Sequence, residues 1–408
     1  MKKIPFFLFF ALISSCVSNQ NKTNEELLAQ AHKIHKSIVT IDTHTDTPLM
    51  FNREGFDFSG KNPDNKGRVD LTKMEEGGLD AAFFAVFIGQ GDRTPEKYDE
   101  VHSAALDIFS RVKSSINDNS DRAVMATKAS EALSIKKQGK KAIYIGVENG
   151  YPIGKDISRV KEFYDMGARY LTLCHTKNND ICDSSTDPSG PEHNGLSTFG
   201  IKVVKELNRL GMMIDVSHIS DQAFYQSIEH SAVPVIASHS CARAVCDNPR
   251  NLSDEMLTKL AENGGVIQIC LLSSYVKPDE PYPARDSARA ALHQKYGNFQ
   301  ELEPEIRRKA IDEWYGLDEV FPPKLATVSD LVDHIDHVVN QIGIDYVGIG
   351  SDFDGGGRLK DCADASQMTN ITVELLRRGY NEENIKKIWG ENFLRVFKQV
   401  ETFAQNQL

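Results

Sequence analysis

The chain has 408 residues, of which 40% are hydrophobic and 26% are charged. This composition supports a large folded core and excludes global disorder and a polytopic membrane protein. Acidic residues number 58 against 47 lysines and arginines, which gives a formal net charge of −11. Because phosphate neutralisation needs clustered basic residues, we expect no nucleic-acid partner.

The N-terminal segment has the pattern of an export signal. A short basic start precedes the apolar residues 4–13, a run too short to span a bilayer stably. Two serines then precede Cys16, which resembles a bacterial lipobox. We predict a signal peptide over 1–15 and a lipidated tether and lead-in over 16–36, with an ordinary signal peptide and a chance cysteine as the alternative. We therefore expect the lipid at Cys16 to anchor the protein to a membrane of the bacterial cell envelope, on the periplasmic or outer-membrane side.

From residue 37 onward, eight apolar strand-like runs alternate with amphipathic helical segments. Most runs are continuously apolar, as expected for parallel strands that are covered on both faces. The alternation predicts an α/β fold, a (β/α)8 TIM-type barrel over 37–408, with a doubly wound open sheet as the alternative. The predicted strands are Ser37–Thr43, Ala81–Ile88, Ala142–Val147, Tyr170–Leu173, Met212–Val216, Val233–Ala237, Val266–Leu271 and Tyr346–Gly350. The predicted helices are 97–116, 156–166, 198–210, 221–230, 253–263 and 327–341.

Two further segments exceed a minimal barrel. Residues 273–326 form an insertion between the seventh predicted strand and its helix, with a helical stretch near 302–315. This insertion is expected to lie on the C-terminal rim of the barrel. Three interpretations remain open: a lid, a dimer contact, or an extension without a function. The C-terminal tail, 365–403, is predicted to form two helices that are divided near Gly379.

Polar residues close six of the eight predicted strands. Because the C-terminal ends of barrel strands meet at one mouth, these side chains are expected to converge where TIM barrels carry their active sites. One histidine in such a place is usually structural, but four at strand ends indicate a site. The residues concerned are Asp42, His44, Asp46, Glu148, His175, His218, His239 and Asp352.

Imidazole and carboxylate groups without a nearby thiolate pair suit Zn²⁺, with Mn²⁺ or Co²⁺ as substitutes. His44 and Asp46 are two residues apart and so point to the same side of an extended strand end. They could hold one ion together with one oxygen of Glu148, while His218 and His239 hold a second ion with the other oxygen. We predict two zinc ions per chain, with a bridging hydroxide as the nucleophile of a hydrolytic site.

Nine segments, in chain order, resemble the membrane dipeptidase (renal dipeptidase) family of the amidohydrolase superfamily, over roughly 37–402. They are IDTHTD (41–46), IGVE (145–148), RYLTLCH (169–175), NGLS (194–197), NRLGM (208–212), IDVSH (214–218), ASHS (237–240), NPRN (248–251) and GSDFDG (350–355). The resemblance implies a zinc dipeptidase with a bridging glutamate, and it makes a homodimer an expectation.

The same resemblance assigns roles to three further residues. It implies that His175 contacts the scissile carbonyl and stabilises the oxyanion. Arg250 would bind the substrate carboxylate. Asp352 would take a proton from the metal hydroxide and pass it to the leaving amine, so the catalytic residues are expected to be His175 and Asp352. His175 and Asp352 also count, with Arg250, among the expected substrate-binding residues.

Two alternatives to a dipeptidase remain open. The first is another binuclear amidohydrolase that acts on lactones, β-lactams or N-acyl amino acids. Related enzymes usually open with His-x-His and bridge with a modified lysine, which the His44-x-Asp46 pattern and Glu148 disfavour. The second is a ligand-binding lipoprotein without activity, which the presence of every expected metal ligand disfavours.

The sequence also departs from the family pattern at Asn149, where glycine is common, and at Lys177, where a cysteine is expected.

Overall fold

The computed structural model of the protein describes residues 22–61, 66–297, 299 and 302–407. The predicted signal peptide over 1–15 and the predicted lipidation site Cys16 lie outside these described residues. Among the residues that are described, no helix combines the length and the apolar composition needed to cross a bilayer.

Parallel strands of the described chain form one sheet. The strands are β1 Ile41–Thr45, β2 Ala81–Phe87, β3 Ala123–Met125, β4 Lys141–Glu148, β5 Ala168–Thr172, β6 Met213–Asp215, β7 Ile236–Ser240, β8 Val266–Cys270 and β9 Val347–Gly350. Eight of them follow each other around a barrel in the order β1-β2-β4-β5-β6-β7-β8-β9. The short strand β3 pairs with β4 outside this path and was not predicted.

The first and last strands close the barrel through their C-terminal ends. The Asp46 amide donates to the Phe353 carbonyl at 2.7 Å, and the Asp352 amide donates to the His44 carbonyl at 2.9 Å. A parallel bridge joins Thr45 to Phe353 at the same place. The predicted TIM-type barrel is therefore confirmed, and the alternative of an open sheet is wrong.

Two strand boundaries differ from prediction in ways that affect the site. The first strand was predicted from Ser37, but that residue ends a helix and the strand begins at Ile41. The sixth predicted strand, Val233–Ala237, corresponds to β7, which begins only at Ile236 and includes His239. The apolar residues Val233 and Val235 belong instead to the approach to this strand, so hydrophobicity alone placed it too early.

Helices cover the outside of the barrel, and the predicted helices are found within a few residues of their expected bounds. Serine side chains begin three of them: Ser197, Ser220 and Ser253 each accept a backbone N–H from the first turn. The helices are α1 Asn24–Ser37, α2 Leu71–Glu76, α3 Pro95–Asp118, α4 Glu131–Lys136, α5 Ser158–Asp165, α6 Thr198–Leu210, α7 Asp221–His230, α8 Asp254–Glu262, α9 Ser273–Val276, α10 Pro283–Tyr296, α11 Pro304–Val320, α12 Val328–Ile342, α13 Thr369–Arg377, α14 Glu382–Lys386 and α15 Asn392–Gln405.

The helix α1 is docked on the barrel although it begins within the predicted lead-in 16–36. Leu27, Ala31 and Ile34 are buried in the main hydrophobic core. His35 adds a buried polar contact, because its Nε2 lies 2.6 Å from the Thr372 hydroxyl on α13. The described part of the predicted lead-in therefore packs against the main hydrophobic core.

The C-terminal tail has the predicted division at Gly379 and also closes the lower end of the barrel. Phe393 and Phe397 of α15 belong to one apolar cluster with inward-facing residues near the starts of the strands. Above them, the Phe83 ring stacks on the rings of Tyr144 and Tyr170, with centroids 4.7 and 5.4 Å away. The polar C-terminal ends of the strands lie directly above this aromatic layer.

The insertion 273–326 folds into the short helix α9 and a pair of longer helices, α10 and α11. The pair is held by the ion pair between Lys295 and Glu313, at 2.7 Å, and by the edge contact of His293 with Trp314. The predicted helical stretch near 302–315 corresponds to α11, whereas α10 was not predicted.

Candidate active site

The strand-end residues converge in a buried cluster at the C-terminal mouth of the barrel. His44 belongs to β1 and Glu148 ends β4, while His239 lies near the end of β7. His218 follows β6 at a left-handed position with φ 72°, which turns its side chain toward the others. The side chains of these residues and of Asp46 are all buried.

Glu148 lies at the centre of the cluster, and its two oxygens face different partners. Oε2 is 3.5 Å from His44 Nε2. Oε1 is 3.1 Å from His218 Nε2 and 3.4 Å from His239 Nε2. Asp46 Oδ2 lies 3.8 Å from His44 Nε2 and completes the first group. The five residues predicted as ligands are thus brought together as two groups that share one carboxylate.

Several donor atoms in the cluster fit a cation better than they fit each other. His44 Nε2 and Asp46 Oδ1 are buried without a hydrogen-bond partner among the described residues, although such atoms are nearly always paired. The Nε2 atoms of His218 and His239 approach to 2.8 Å. Buried carboxylates and unpaired imidazole nitrogens that crowd one space are the expected donor set of a metal centre. Among the described residues, three overlapping groups of possible ligands occur at this place, so the residues fit a binuclear site. The groups are His44, Glu148 and His239; Glu148, His175 and His218; and His44, Asp46 and Asp352.

A hydrogen-bonded chain that sequence reasoning missed fixes the orientation of His239. Ser238 Oγ lies 2.6 Å from Asp215 Oδ2 and 2.8 Å from His239 Nδ1. An ionised carboxylate only accepts, so Ser238 donates its single proton to Asp215 and accepts the Nδ1–H of His239. The lone pair of His239 is thereby left on Nε2, which faces the cluster. The signal for this chain was Asp215, an aspartate that ends the otherwise apolar strand β6.

Tyr170 orients the ring of His44 in a similar way. The Tyr170 hydroxyl lies 2.9 Å from His44 Nδ1, and both side chains are fully buried. Because Tyr170 also belongs to the aromatic layer of the barrel, the orientation of His44 is tied directly to the packing of the core.

Asp352 approaches the cluster from the loop after β9, at a left-handed position with φ 60°. It forms a possible ligand group with His44 and Asp46, in which one ligand atom of each residue lies within 4.8 Å of the others. Burial, and after it the charge of Asp46, raise the pKa of Asp352 well above the usual carboxyl range. Gly355 permits this approach, since a Cβ there would overlap carboxylate oxygens of both Asp46 and Asp352.

His175 lies at the open side of the cluster. Its ring packs on the rings of Phe87 and His218, with centroids 4.7 and 4.2 Å away, and its Nε2 is 3.9 Å from Glu148 Oε1. The side chain is 22% exposed, whereas the predicted metal ligands are nearly inaccessible. Burial lowers the pKa of His175 to about 4, so its imidazole is neutral near pH 7.

Arg250 is a buried cation on the wall beside β7. Its Nη2 donates to the His239 carbonyl at 3.2 Å, and its guanidinium lies over the Tyr275 ring at 5.1 Å. Its Nε is buried without a hydrogen-bond partner in the described part of the chain. A buried guanidinium with unused donors beside the cluster is suited to binding an anionic group.

Comparison with known proteins connects this geometry to a family. Residues 28–408 match the family described as membrane dipeptidase (Peptidase family M19). Dipeptidase tcpJ of Claviceps purpurea (strain 20.1) is 34% identical over 349 residues, which cover 84% of this chain and 72% of that protein. Dipeptidase 3 of Rattus norvegicus is 31% identical over 396 residues, 95% of this chain and 70% of that protein. The crystal structure of the probable dipeptidase PvdM from Pseudomonas aeruginosa is 30% identical, with a TM-score of 0.80 over 93% of this chain and 100% of that one.

Proposed function

Because this chain belongs to the membrane dipeptidase family, Peptidase family M19, we propose that it hydrolyses the peptide bond of dipeptides at a binuclear zinc centre. The chain is a dipeptidase with a buried metal site of histidine and carboxylate residues. The observation that carries the finer proposal is Glu148, whose two oxygens face two separate groups of ligands. Neither another amidohydrolase activity nor a ligand-binding protein without activity is favoured by this membership.

The ligand groups divide between two ions. His44, Asp46 and one oxygen of Glu148 would hold the first ion, and His218, His239 and the other oxygen would hold the second. The imidazole and carboxylate donors support zinc, with Mn²⁺ or Co²⁺ as substitutes. When bound, two such ions polarise the scissile carbonyl and activate water at neutral pH.

The remaining residues bind the dipeptide and move its protons. Arg250 binds the C-terminal carboxylate, because its guanidinium is buried and its Nε is unpaired. His175 is neutral and donates an N–H to the oxygen of the scissile carbonyl as negative charge develops there. Asp352 takes a proton from the attacking water and delivers it to the nitrogen of the leaving amine, which its place beside His44 and Asp46 allows.

Two neighbouring carboxylates provide a controlled test of this assignment. Asp352 and Asp354 both follow β9 at left-handed positions, with φ 60° and 67°, and asparagine tolerates this conformation well. The Asp354 carboxylate instead accepts from the Arg68 amide and the Thr47 hydroxyl, at 2.8 and 2.9 Å. Asp352→Asn should lower kcat for L-Ala-L-Ala by about 10²–10⁴-fold, whereas Asp354→Asn should retain most of it. Near-native kcat in Asp352→Asn with its metal intact would exclude it as the proton carrier.

We also propose that Cys16 carries lipid and anchors the chain in the bacterial cell envelope. The serines before Cys16 and the polar residues after it support this assignment. Helix α1 begins at Asn24, with Thr23 as its N-cap, so only a short tether separates the anchor from the docked helix.

A further inference from the structure

A cavity of about 1580 Å³ lies between the insertion and the barrel mouth. Its walls come from the segment after β1, from the insertion helices α10 and α11, and from the loop after β9. Gly355 lines this cavity and also lies against the carboxylates of Asp46 and Asp352. The cavity therefore borders the predicted reaction centre at Gly355.

Tyr315 places Arg53 in the wall of the cavity. It lines the cavity from α11, and the Arg53 guanidinium lies 5.9 Å from its ring centroid. Because Gly355 lines the same cavity, we expect a side chain of a dipeptide held at the reaction centre to extend past Gly355 toward this wall.

The balance of positive and negative charges differs between the partly buried and the exposed residues that line the cavity. Among the described lining residues, those that are partly buried comprise two aspartates and five arginines, Arg53, Arg68, Arg285, Arg289 and Arg358. The exposed charges of the described lining have the opposite balance, six acidic residues against three basic ones. The inner wall is therefore strongly positive, while the acidic residues lie at the outer rim, where solvent and salt screen them.

The two inner aspartates do not neutralise this wall. Asp318 is shared, since one oxygen lies 2.5 Å from Arg285 Nη2 and the other pairs with Arg358. The Asp354 carboxylate accepts from a backbone amide and a hydroxyl, so it makes no ion pair with a guanidinium in the described residues.

Two of these arginines, from distant parts of the chain, are not held by an ion pair among the described residues. Within the described chain, neither Arg53 nor Arg289 forms an ion pair with a carboxylate, and each guanidinium lies over an aromatic ring instead. Arg289 Nε is buried without a hydrogen-bond partner in the same residues. Burial, and after it the charge of Arg285, lower the pKa of Arg289, while the charges of Asp318, Asp279 and Asp286 oppose this shift. A partly buried guanidinium that makes no ion pair keeps donors available, and an anionic ligand would pair with them.

We propose that this cavity is a substrate subsite for a carboxylate carried on a side chain of the dipeptide. The inference rests on the proposed dipeptidase function and deepens it, because it names acidic dipeptides as the preferred substrate class. The planar donors of Arg53 and Arg289 match a carboxylate, and the neutral amide of the same shape cannot replace that charge. The insertion 273–326 is then a wall that selects substrates.

Pairs of acidic and amide dipeptides test the subsite. In wild-type protein, kcat/KM should be at least about tenfold higher for Glu-Ala than for Gln-Ala, or for Ala-Glu than for Ala-Gln, according to which residue reaches the cavity. In Arg289→Gln and in Arg53→Gln this ratio should fall toward one. Lys309→Gln is the control, because Lys309 is an exposed residue of α11 that does not line the cavity, and it should retain both the ratio and the turnover of Ala-Ala. Two variants on different elements protect the test against misfolding of either one.

The possible failures are distinguishable. If wild-type protein cleaves Ala-Ala but shows equal kcat/KM for acidic and amide substrates at both positions, the subsite is wrong and the dipeptidase function stands. If it cleaves no dipeptide, the proposed function fails, and calorimetric binding of the same four dipeptides to metal-free protein still decides the subsite. Tighter binding of an acidic dipeptide that is lost in Arg289→Gln would support the subsite, and equal binding of acid and amide would overturn it.

Discussion

Replacing Arg250 with methionine should abolish discrimination between a dipeptide with a free C-terminal carboxylate and its C-terminal amide. Methionine fills much of the volume of the arginine side chain but carries no charge and no donors. The substitution therefore removes the feature by which we propose that the enzyme recognises the end of a short peptide.

The magnitude follows from the burial of the guanidinium. Arg250 is only 3% exposed, and its contacts with the His239 carbonyl and the Tyr275 ring provide no counter-charge. A substrate carboxylate bound there would be desolvated, and loss of one member of such a pair costs about 2–5 kcal/mol. We therefore expect kcat/KM for L-Ala-L-Ala to fall by about 10²-fold or more in Arg250→Met, to the level of the wild-type enzyme acting on the amide.

The assay is a cycle of two proteins and two substrates, with kcat/KM measured for the free acid and the amide. Because both changes remove the same interaction, their effects should not add. Arg243→Met is a matched control, since Arg243 lies in the same loop but pairs with Asp221 at 2.7 Å. It should preserve the preference for the free acid. Additive losses, or equal turnover of acid and amide by wild-type protein, would refute the assignment of Arg250.

Three further predictions concern metal binding, pH and anchoring. Ser238→Ala leaves the Nδ1–H of His239 without its acceptor, so metal affinity should weaken by about 10–100-fold when measured against a competing chelator. Ser227→Ala is the control and should not change this affinity, because Ser227 is a buried serine distant from the proposed ligands. Burial lowers the pKa of His35 from 6.5 to about 4. Between these two pH values the His35 side chain binds a proton in the unfolded chain but stays neutral in the native chain. The unfolding free energy of metal-free protein should therefore fall by about 3 kcal/mol more between pH 7 and 4 in wild type than in His35→Gln, as urea denaturation would measure, and equal pH dependence would contradict this. Cys16→Ser should release the protein from the membrane fraction, and failure of the wild type to incorporate labelled fatty acid would reject the lipid anchor.

The barrel and the position of its site were predictable because they depend on local patterns. Continuous apolar runs mark strands that are buried on both faces, and the polar residue that ends each run must face the mouth. Glu148 and His218 could be found in this way from single segments. The resemblance to known dipeptidases added Arg250, which no local pattern distinguishes from a surface arginine.

Features that depend on contacts between distant segments could not be predicted. Strand β3 has only three residues and pairs outside the barrel path, so it carries almost no periodic signal. The chain from Asp215 through Ser238 to His239 requires two neighbouring strands in register. The arginine-lined cavity joins Arg53 to Arg289, which are far apart in sequence and meet only because the insertion folds over the mouth.

The most direct test of the binuclear dipeptidase is the rate of L-Ala-L-Ala hydrolysis by metal-free protein titrated with Zn²⁺. The shared position of Glu148 predicts no turnover without metal and a plateau at two ions per chain. Full turnover in the presence of a strong chelator, a plateau at one ion, or no turnover at two ions would contradict it.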